Sequence, residues 1–231
     1  MTKTLAVAAA AEFSGTALLL AVIVGSGIMG ERLADGNMAV ALFANSFATG
    51  CGLFVLIVIF APVSGSHFNP LVSILARFEG TLGNRALAVY IAMQLVGAVA
   101  GVALAHGMFD LEAWAPSVKE RTGLGQSLAE GVATFGLVLA ILGARRHGTV
   151  TVAAVVAAYI ACAYWFTAST SFANPAVTVA RSLTPTFTGI APQGVAAFVL
   201  AQTIGAALGA IFGAWLFERA HRAKQDSPGA D

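Results

Sequence analysis

Apolar residues fill six long stretches of the chain, and polar residues gather between them. A helix that crosses the hydrocarbon core of a bilayer needs about 20 apolar residues. The six stretches predict membrane helices at about 5–29, 38–61, 86–106, 126–144, 149–168 and 193–217. We expect the first helix to be retained, because it is longer than the apolar core of a signal peptide and contains Glu12.

The composition supports an all-α membrane protein. Hydrophobic residues make up 58% of the chain and charged residues 10%, and the mean hydropathy is +0.84, too apolar for a soluble domain. The net charge of +1 gives no indication of nucleic-acid binding. Two cysteines lie in predicted spans, and the sequence contains no disulfide pattern, nucleophile–base pair, phosphate loop or metal cluster. We therefore expect neither an enzyme nor a cofactor.

Two Asn-Pro dipeptides occupy matching places between the long stretches. They are Asn69-Pro70-Leu71 and Asn174-Pro175-Ala176. Asparagine is a good N-cap, and proline is favoured in the first turn of a helix. The apolar segments that follow, Leu71 to Phe78 and Val177 to Leu183, are too short to cross a bilayer. The pattern predicts two half-helices that begin inside the membrane.

The chain is an inverted repeat with halves at about 1–106 and 124–217, in a single domain covering 1–231. The repeated residues are Glu12, Thr16, Gln94, Gly97 and Gly101 in the first half, and Glu130, Thr134, Gln202, Gly205 and Gly209 in the second. Three spans per half give the halves opposite orientations, so the half-helices enter from opposite faces. Broken helices at matching places in inverted halves indicate a solute site near the midplane.

The distribution of basic residues predicts that both termini are cytoplasmic. Lys3, Arg77, Arg85, Arg145, Arg146, Arg219, Arg222 and Lys224 fall on one side, and Arg32, Lys119, Arg121 and Arg181 on the other. The side richer in lysine and arginine faces the cytoplasm. We expect a multi-pass protein of the inner (plasma) membrane, in contact with lipid, with a cytoplasmic tail at 218–231.

The two loops that carry the dipeptides resemble the signature loops of the aquaporin and aquaglyceroporin family, the major intrinsic proteins. The first reads Ser64-Gly65-Ser66-His67-Phe68-Asn69-Pro70 and the second Ser171-Phe172-Ala173-Asn174-Pro175-Ala176. The resemblance covers nearly the whole chain and implies a homotetramer in which each protomer has its own pore. It implies six spanning helices and two re-entrant half-helices in a 3+3 inverted repeat.

The two asparagines are the predicted centre of the pore. Their side-chain amides can donate hydrogen bonds into it, and the positive ends of two half-helices converge there. Cations and protons then meet an electrostatic barrier, whereas neutral hydrogen-bonding solutes can pass.

The family's narrowest ring carries over by spacing to Thr49, Cys162, Ser171 and Val177. Most relatives have an arginine at the place of Val177 and an aromatic residue at that of Thr49, so four small residues predict a widened constriction. The chain is then similar to glycerol facilitators and to bacterial arsenic-resistance aquaglyceroporins, which implies passage of water, glycerol-like polyols and undissociated arsenite. Alternatively, Arg181 fills the gap from one helical turn away, although a vestibule position nearer the mouth is favoured.

Three further residues have two interpretations each. Glu12 and Glu130 either accept hydrogen bonds from the re-entrant loops, which we favour, or relay protons in a coupled transporter. His67 either lines the pore vestibule, which we favour, or gates conduction by titrating near neutral pH. The alternative functions are therefore an ion-coupled secondary transporter of inverted-repeat type, or a structural or junctional membrane protein.

Overall fold

The chain folds into a bundle of long helices around two short ones, as seen in a computed structural model that describes residues 3–226, with side chains for 4–217. The helices in that range are α1 (Lys3–Leu33), α2 (Met38–Ser64), α3 (Pro70–Phe78), α4 (Asn84–Met108), α5 (Leu124–Ala144), α6 (Thr149–Phe166), α7 (Pro175–Arg181) and α8 (Pro192–Asp226), with a 3₁₀ turn at Arg145–His147. Six of them are long and apolar enough to cross a membrane. The predicted fold class is confirmed.

The predicted tail falls partly outside this description. The backbone of α8 continues as helix to Asp226, so the helix is longer than the predicted 193–217. Residues 227–231 lie outside the described residues, as do the side chains of the basic residues counted at 3, 219, 222 and 224.

Helix ends follow from the local sequence. The side chain of Asn37 caps α2 by accepting hydrogen bonds from the backbone N–H groups of Ala39 and Val40. At its other end α2 stops at Gly65, whose φ of 88° lies in the left-handed region that glycine adopts readily. The half-helices α3 and α7 each begin with proline behind an asparagine cap. With nine and seven residues, they are far too short to span a bilayer.

The two halves pack in the same way. Helix α1 packs on α4 as α5 packs on α8, and α2 meets α6 between the halves. The repeated glycines bring the first pair together, because a Cβ atom at Gly101 would lie 2.2 Å from the carbonyl oxygen of Ala17. At the equivalent crossing, a Cβ atom at Gly205 would lie 2.1 Å from that of Gly131. Only residues without a side chain allow helices to approach so closely.

The outer surface of the bundle is apolar. Large side chains stay exposed on helices from both halves, including Phe43, Phe47, Leu200 and Ile211. A soluble monomer rarely exposes so much apolar surface, whereas lipid tails cover it without cost. Together with the six long helices, this makes the chain a multi-pass membrane protein.

Segments 109–123 and 182–191 form one end of the bundle, here called the loop end. Three backbone hydrogen bonds join them: Ala115 N–H to Leu183 O (3.1 Å), Ser117 N–H to Ser182 O (2.9 Å) and Ala191 N–H to Lys119 O (2.7 Å). At the opposite end, Arg145 and Glu79 form an ion pair between the 3₁₀ turn and the end of α3.

Candidate functional site

The two half-helices begin at a cavity of about 120 Å³ inside the bundle. Asn69 and Asn174 both line it, as do residues of the loops in front of them. Much of the remaining wall is aliphatic and comes from α1, α2, α5 and α6: Leu19, Ile23, Leu53, Ile57, Leu137, Ile141, Val152, Val156 and Ile160. The cavity therefore has hydrogen-bonding groups from the re-entrant loops and an apolar lining from the long helices.

Asn69 and Asn174 bind each other's loops. The Nδ2 atom of Asn69 donates to the carbonyl oxygen of Ala173 at 2.9 Å, and that of Asn174 donates to the carbonyl oxygen of Phe68 at 2.8 Å. Their Oδ1 atoms accept from N–H groups in the first turns of their own helices. Each amide has two N–H donors, so one donor of each asparagine stays available to a molecule in the cavity.

The loops before the asparagines share an unusual backbone. Phe68 and Ala173 both have φ of 48°, and Ser66 and Ser171 have φ of 53° and 50°. Left-handed conformations are strained for residues other than glycine, and they persist where the surroundings enforce them. Among the described residues, no donor is hydrogen-bonded to the carbonyl oxygens of residues 65–67 and 171–172. Each of these carbonyls can still accept a hydrogen bond, so the loops suit a solute that donates hydrogen bonds.

Glu12 holds the first loop. Its carboxylate accepts from the backbone N–H groups of His67 (3.0 Å) and Phe68 (2.8 Å), from the hydroxyl of Ser64 (2.6 Å) and from the amide of Gln94 (2.8 Å). A carboxylate at 0% exposure is tolerated when hydrogen bonds surround it. Glu12 thus supplies acceptors for loop N–H groups that no regular helix satisfies.

Glu130 holds the second loop with the same geometry. It accepts from the backbone N–H groups of Phe172 (2.8 Å) and Ala173 (2.9 Å) and from the amide of Gln202 (2.6 Å). The repeat extends one contact further, since Gln94 also donates to Ser73 and Gln202 to Thr178. Each carboxylate is therefore the centre of a buried network that fixes one loop against its half of the bundle.

Three of the four predicted ring residues line the cavity, namely Thr49, Ser171 and Val177. The assignment of Cys162 is wrong: this residue is exposed, on the outer side of α6. The cavity-facing stripe of α6 repeats every four residues and ends at Ile160 and Tyr164. A residue two positions from both lies about 200° around the helix from Ile160, so Cys162 faces away from the cavity.

Tyr164 takes the place that was predicted for Cys162. Its hydroxyl lies 3.3 Å from that of Thr49. This wall is therefore aromatic, which corrects the expectation that small residues form the whole ring.

Arg181 also lines the cavity and is 1% exposed, which corrects the favoured position near the mouth. Its Cζ atom lies 3.4 Å from the centroid of the Phe172 ring, and its Nε donates to the carbonyl oxygen of Thr188. Its Nη1 has no hydrogen-bond partner among the described residues. Val177 and Arg181, four residues apart, share a face of α7, so the wall contains a guanidinium group although position 177 does not provide it.

Comparison with known proteins agrees with the signature loops. The family model of the major intrinsic proteins matches residues 1–162. The chain belongs to the major intrinsic protein family. This confirms the resemblance seen in the sequence, and the match includes the first signature loop and the Glu130 position of the second half.

Several relatives of this major intrinsic protein are aquaglyceroporins or related proteins. It is 50% identical over 219 residues to aquaglyceroporin AqpS from Rhizobium meliloti (strain 1021), a match that covers 94% of each chain. It is 38% identical over 104 residues to a glycerol uptake facilitator protein from Pseudomonas aeruginosa, covering 43% of this chain and 35% of the relative. An X-ray structure of the aquaglyceroporin from Plasmodium falciparum shares the fold, with a TM-score of 0.70, 20% identity and coverage of 90% and 95% of the two chains.

His67 lies in the cavity wall of this major intrinsic protein, where its Nδ1 is 3.0 Å from the hydroxyl of Ser73. Its backbone N–H is one of the donors to Glu12. The imidazole therefore occupies a fixed position beside the cavity, on the side of α3.

Sequence reasoning missed two cations at the loop end. Arg121 is 7% exposed, and burial lowers its pKa to about 10. Lys119 is half-buried, and burial, together with the nearby Arg121 and Arg181, lowers its pKa to about 8. No motif marks these residues, because they lie in segment 109–123, which has no regular secondary structure after its first residues.

Proposed function

We propose that this protein is a passive channel for small neutral solutes that carry hydroxyl groups. The solutes are water, glycerol-like polyols and undissociated metalloid acids such as arsenite. The single observation that carries the proposal is the pair of asparagine amides, each with a free donor, in a cavity whose remaining wall is largely aliphatic. The relatives named as aquaglyceroporins and as a glycerol uptake facilitator support it.

The wall matches the chemistry of a polyol. A hydroxyl group both donates and accepts hydrogen bonds. The asparagine amides offer donors, and the loop carbonyls at 65–67 and 171–172 offer acceptors. The hydroxyl of Ser171 is buried without a partner among the described residues and adds a group that does both. The C–H groups of the same solute can pack against the aliphatic side chains of the wall. Undissociated arsenite has three hydroxyl groups and no charge, so the same arrangement accommodates it.

Charge selection follows from the same groups. The positive ends of α3 and α7 meet at the asparagines, and Arg181 adds a full positive charge to the wall. Cations and migrating protons are therefore disfavoured. We assign to Arg181, together with Tyr164, the limit on solute size.

The buried carboxylates favour a channel over an ion-coupled transporter. A proton relay needs an acid that reaches the solute path, but Glu12 and Glu130 are fully buried, and neither belongs to the cavity lining. Their oxygens are already engaged by loop N–H groups and glutamine amides. Among the described residues, no specific contact favours a structural or junctional role.

The cellular setting is part of the proposal. The basic residues favour cytoplasmic termini and an inner (plasma) membrane location. The exposed aromatic face of α2, with Phe43 and Phe47 at 61% and 62% exposure, is compatible with lipid or with a neighbouring protomer of a homotetramer. Cross-linking of the purified protein in detergent tests the tetramer.

Solute flux into proteoliposomes tests the proposed function. Light scattering follows shrinkage and re-swelling with water, glycerol or arsenite and no imposed ion gradient. Val177→Arg places a second guanidinium beside Arg181 in the 2%-exposed wall position, so glycerol flux should fall more than water flux. Val118→Arg, which adds the same charge at an 84%-exposed site at the loop end, should leave both fluxes unchanged. Flux that appears only with an ion gradient would overturn the channel in favour of a coupled transporter.

A further inference from the structure

Arg121 is a buried cation that lies outside the helices and outside the cavity lining. It belongs to segment 109–123 at the loop end, and its guanidinium reaches across to two other segments. Its Nε donates to the carbonyl oxygen of Gly189 at 2.9 Å, and its Nη1 donates to that of Ser169 at 2.9 Å. A longer contact of 3.4 Å joins Nη1 to the hydroxyl of Thr170. One side chain thus ties the loop before α7 to the segment after α7.

Arg121 and Arg181 share one aromatic ring. The Cζ atom of Arg121 lies 5.2 Å from the centroid of Phe172, and that of Arg181 lies 3.4 Å from it. The ring itself is fixed, because Phe198 packs against it edge to face at 5.2 Å and Glu130 accepts from the Phe172 backbone N–H. A cation near an aromatic face is attracted to it, and more strongly where water is excluded. Both guanidinium groups therefore contact the same fixed aromatic ring.

The two arginines also hold one short stretch of backbone. Arg181 donates to the carbonyl oxygen of Thr188, Arg121 donates to that of Gly189, and the N–H of Ile190 donates to the carbonyl oxygen of Arg181 at 3.1 Å. Loss of the Arg121 contact frees the residue next to the acceptor of Arg181. The position of the Arg181 side chain therefore depends on Arg121 through the backbone as well as through Phe172.

We propose that Arg121 is a positioning residue that holds the guanidinium of Arg181 in the cavity wall and thereby sets the size limit of the passage. The proposal rests on the proposed function, in which Arg181 limits solute size. Arg121 touches no solute: it is absent from the cavity lining and acts through Phe172 and residues 188–190.

The test compares conservative variants in proteoliposomes. Arg121→Lys keeps the positive charge but loses the planar fork that reaches two carbonyl oxygens. The glycerol-to-water permeability ratio should rise about two- to tenfold, the factor that corresponds to loss of one hydrogen bond of the fork. Arg32→Lys is the matched control, because Arg32 is exposed, also lies at the loop end, and sits 5.1 Å from the ring of Phe109, away from Phe172. Its ratio should stay at the wild-type value.

A double variant separates positioning from general stability. Arg181→Lys alone should raise the ratio in the same direction, and adding Arg121→Lys to it should change the ratio no further, because the group that Arg121 positions is gone. Equal loss of water and glycerol flux in Arg121→Lys, an unchanged ratio, or full additivity in the double variant would each overturn the proposal. If Arg121→Lys is not recovered folded, Arg121→Gln replaces it in the same comparison.

The two proposals fail differently. Wild-type protein without gradient-independent flux contradicts the proposed function. If wild-type protein conducts and the glycerol-to-water permeability ratio is the same in Arg121→Lys, only the positioning role is contradicted.

Discussion

The hydroxyl groups of Thr49 and Tyr164 lie 3.3 Å apart and join α2 of the first half to α6 of the second in the wall of the cavity. Thr49 is 1% and Tyr164 2% exposed, so neither hydroxyl has bulk water to bond instead. The contact brings an aromatic ring into the wall at the junction of the two halves. The width of the passage at this level therefore depends on how these two side chains hold each other.

Removing the Tyr164 ring should admit larger polyols. In Tyr164→Ala, flux of a four-carbon polyol should rise relative to glycerol, because the aromatic part of the wall is gone. Tyr164→Phe keeps the ring and should keep the size limit, with a smaller change that reflects only the lost hydroxyl. Proteoliposome swelling with polyols of increasing length measures the cutoff. Phe166→Ala removes an aromatic residue of the same helix that is 53% exposed outside the cavity, and it should leave the cutoff unchanged.

Exchanging the central asparagines for aspartate should weaken both folding and charge selection. In Asn69→Asp the donor to Ala173 becomes an acceptor, and two oxygens face each other at hydrogen-bonding distance. Loss of such a buried hydrogen bond costs about 1–3 kcal/mol of unfolding free energy. Asn174→Asp does the same opposite Phe68. The added negative charge also lowers the barrier to cations, so cation leak in liposomes should increase.

Asn37→Asp is the matched control for that exchange. Asn37 caps α2 at an exposed position through its Oδ1 atom alone, a role that aspartate fills equally well. Its stability and flux should match wild type. If Asn69→Asp behaves as this control does, the asparagine amides play no part in selection.

Adding a methyl group at a helix crossing should destabilise the bundle. In Gly101→Ala the new Cβ would meet the Ala17 carbonyl at 2.2 Å, so α1 and α4 must move apart. Overpacking of this kind costs about 1–3 kcal/mol, and thermal unfolding in detergent should show a lower midpoint. Gly107→Ala on the same helix has nothing within 4 Å of its Cβ and should be neutral or slightly stabilising. Equal midpoints for the two variants would contradict the close crossing.

The loop end should become more stable as the pH rises above neutrality. Burial, Arg121 and Arg181 lower the pKa of Lys119 from its ordinary 10.5 to about 8, against a smaller opposing effect of Glu31. Between these two values the unfolded chain binds more protons than the folded one, so the unfolding free energy increases with pH across that window. Unfolding midpoints of wild type and Lys119→Gln are measured from about pH 7 to 10. The wild-type midpoint should rise with pH relative to that of the variant, which lacks the lysine. Arg85→Gln, an equal charge change at the other end of the bundle, should run parallel to wild type.

The fold was predictable because its signals are local or repeated. Each membrane helix is an apolar run, and each half-helix begins with asparagine and proline. Glycines at matching positions are part of the repeat that the sequence shows, and the structure places them at the α1–α4 and α5–α8 crossings. These signals need no knowledge of distant contacts. The number and order of the helices therefore match the prediction, and only the first and last residues of the helices differ from it.

The wall of the cavity was less predictable, because the distance in sequence from an asparagine across a loop does not tell which face of the preceding helix points to the cavity. Helix α2 ends five residues before Asn69, whereas α6 ends eight residues before Asn174. Counting back from the asparagine therefore selected Cys162 on α6 when Tyr164 faces the cavity. A four-residue stripe from Val152 through Val156 and Ile160 to Tyr164 is the sequence signal that identifies the correct face.

The positions of Arg121 and Arg181 could not be predicted from the sequence alone. The sequence allows two positions for Arg181, beside Val177 or nearer the mouth. The four-residue spacing puts the two residues on one face of a short helix but does not tell how deeply the arginine is buried. Arg121 is about 50 residues from Phe172 in sequence and meets it only through the packing of irregular segments. Contacts of that kind depend on tertiary structure, and no periodic pattern in the sequence predicts them.

The exchanged hydrogen bonds of Asn69 and Asn174 bear on how the protein is made. Their partners lie 104 and 106 residues away in the chain, so at about 5–20 residues per second the first half waits about 5 to 20 seconds for the second. Until α7 is made, the cavity lacks Asn174, Val177 and Arg181. We expect a chain that stops before Ala173 to insert without conferring glycerol flux on liposomes. The passage therefore forms only when the second half-helix meets the first, late in the synthesis of each chain.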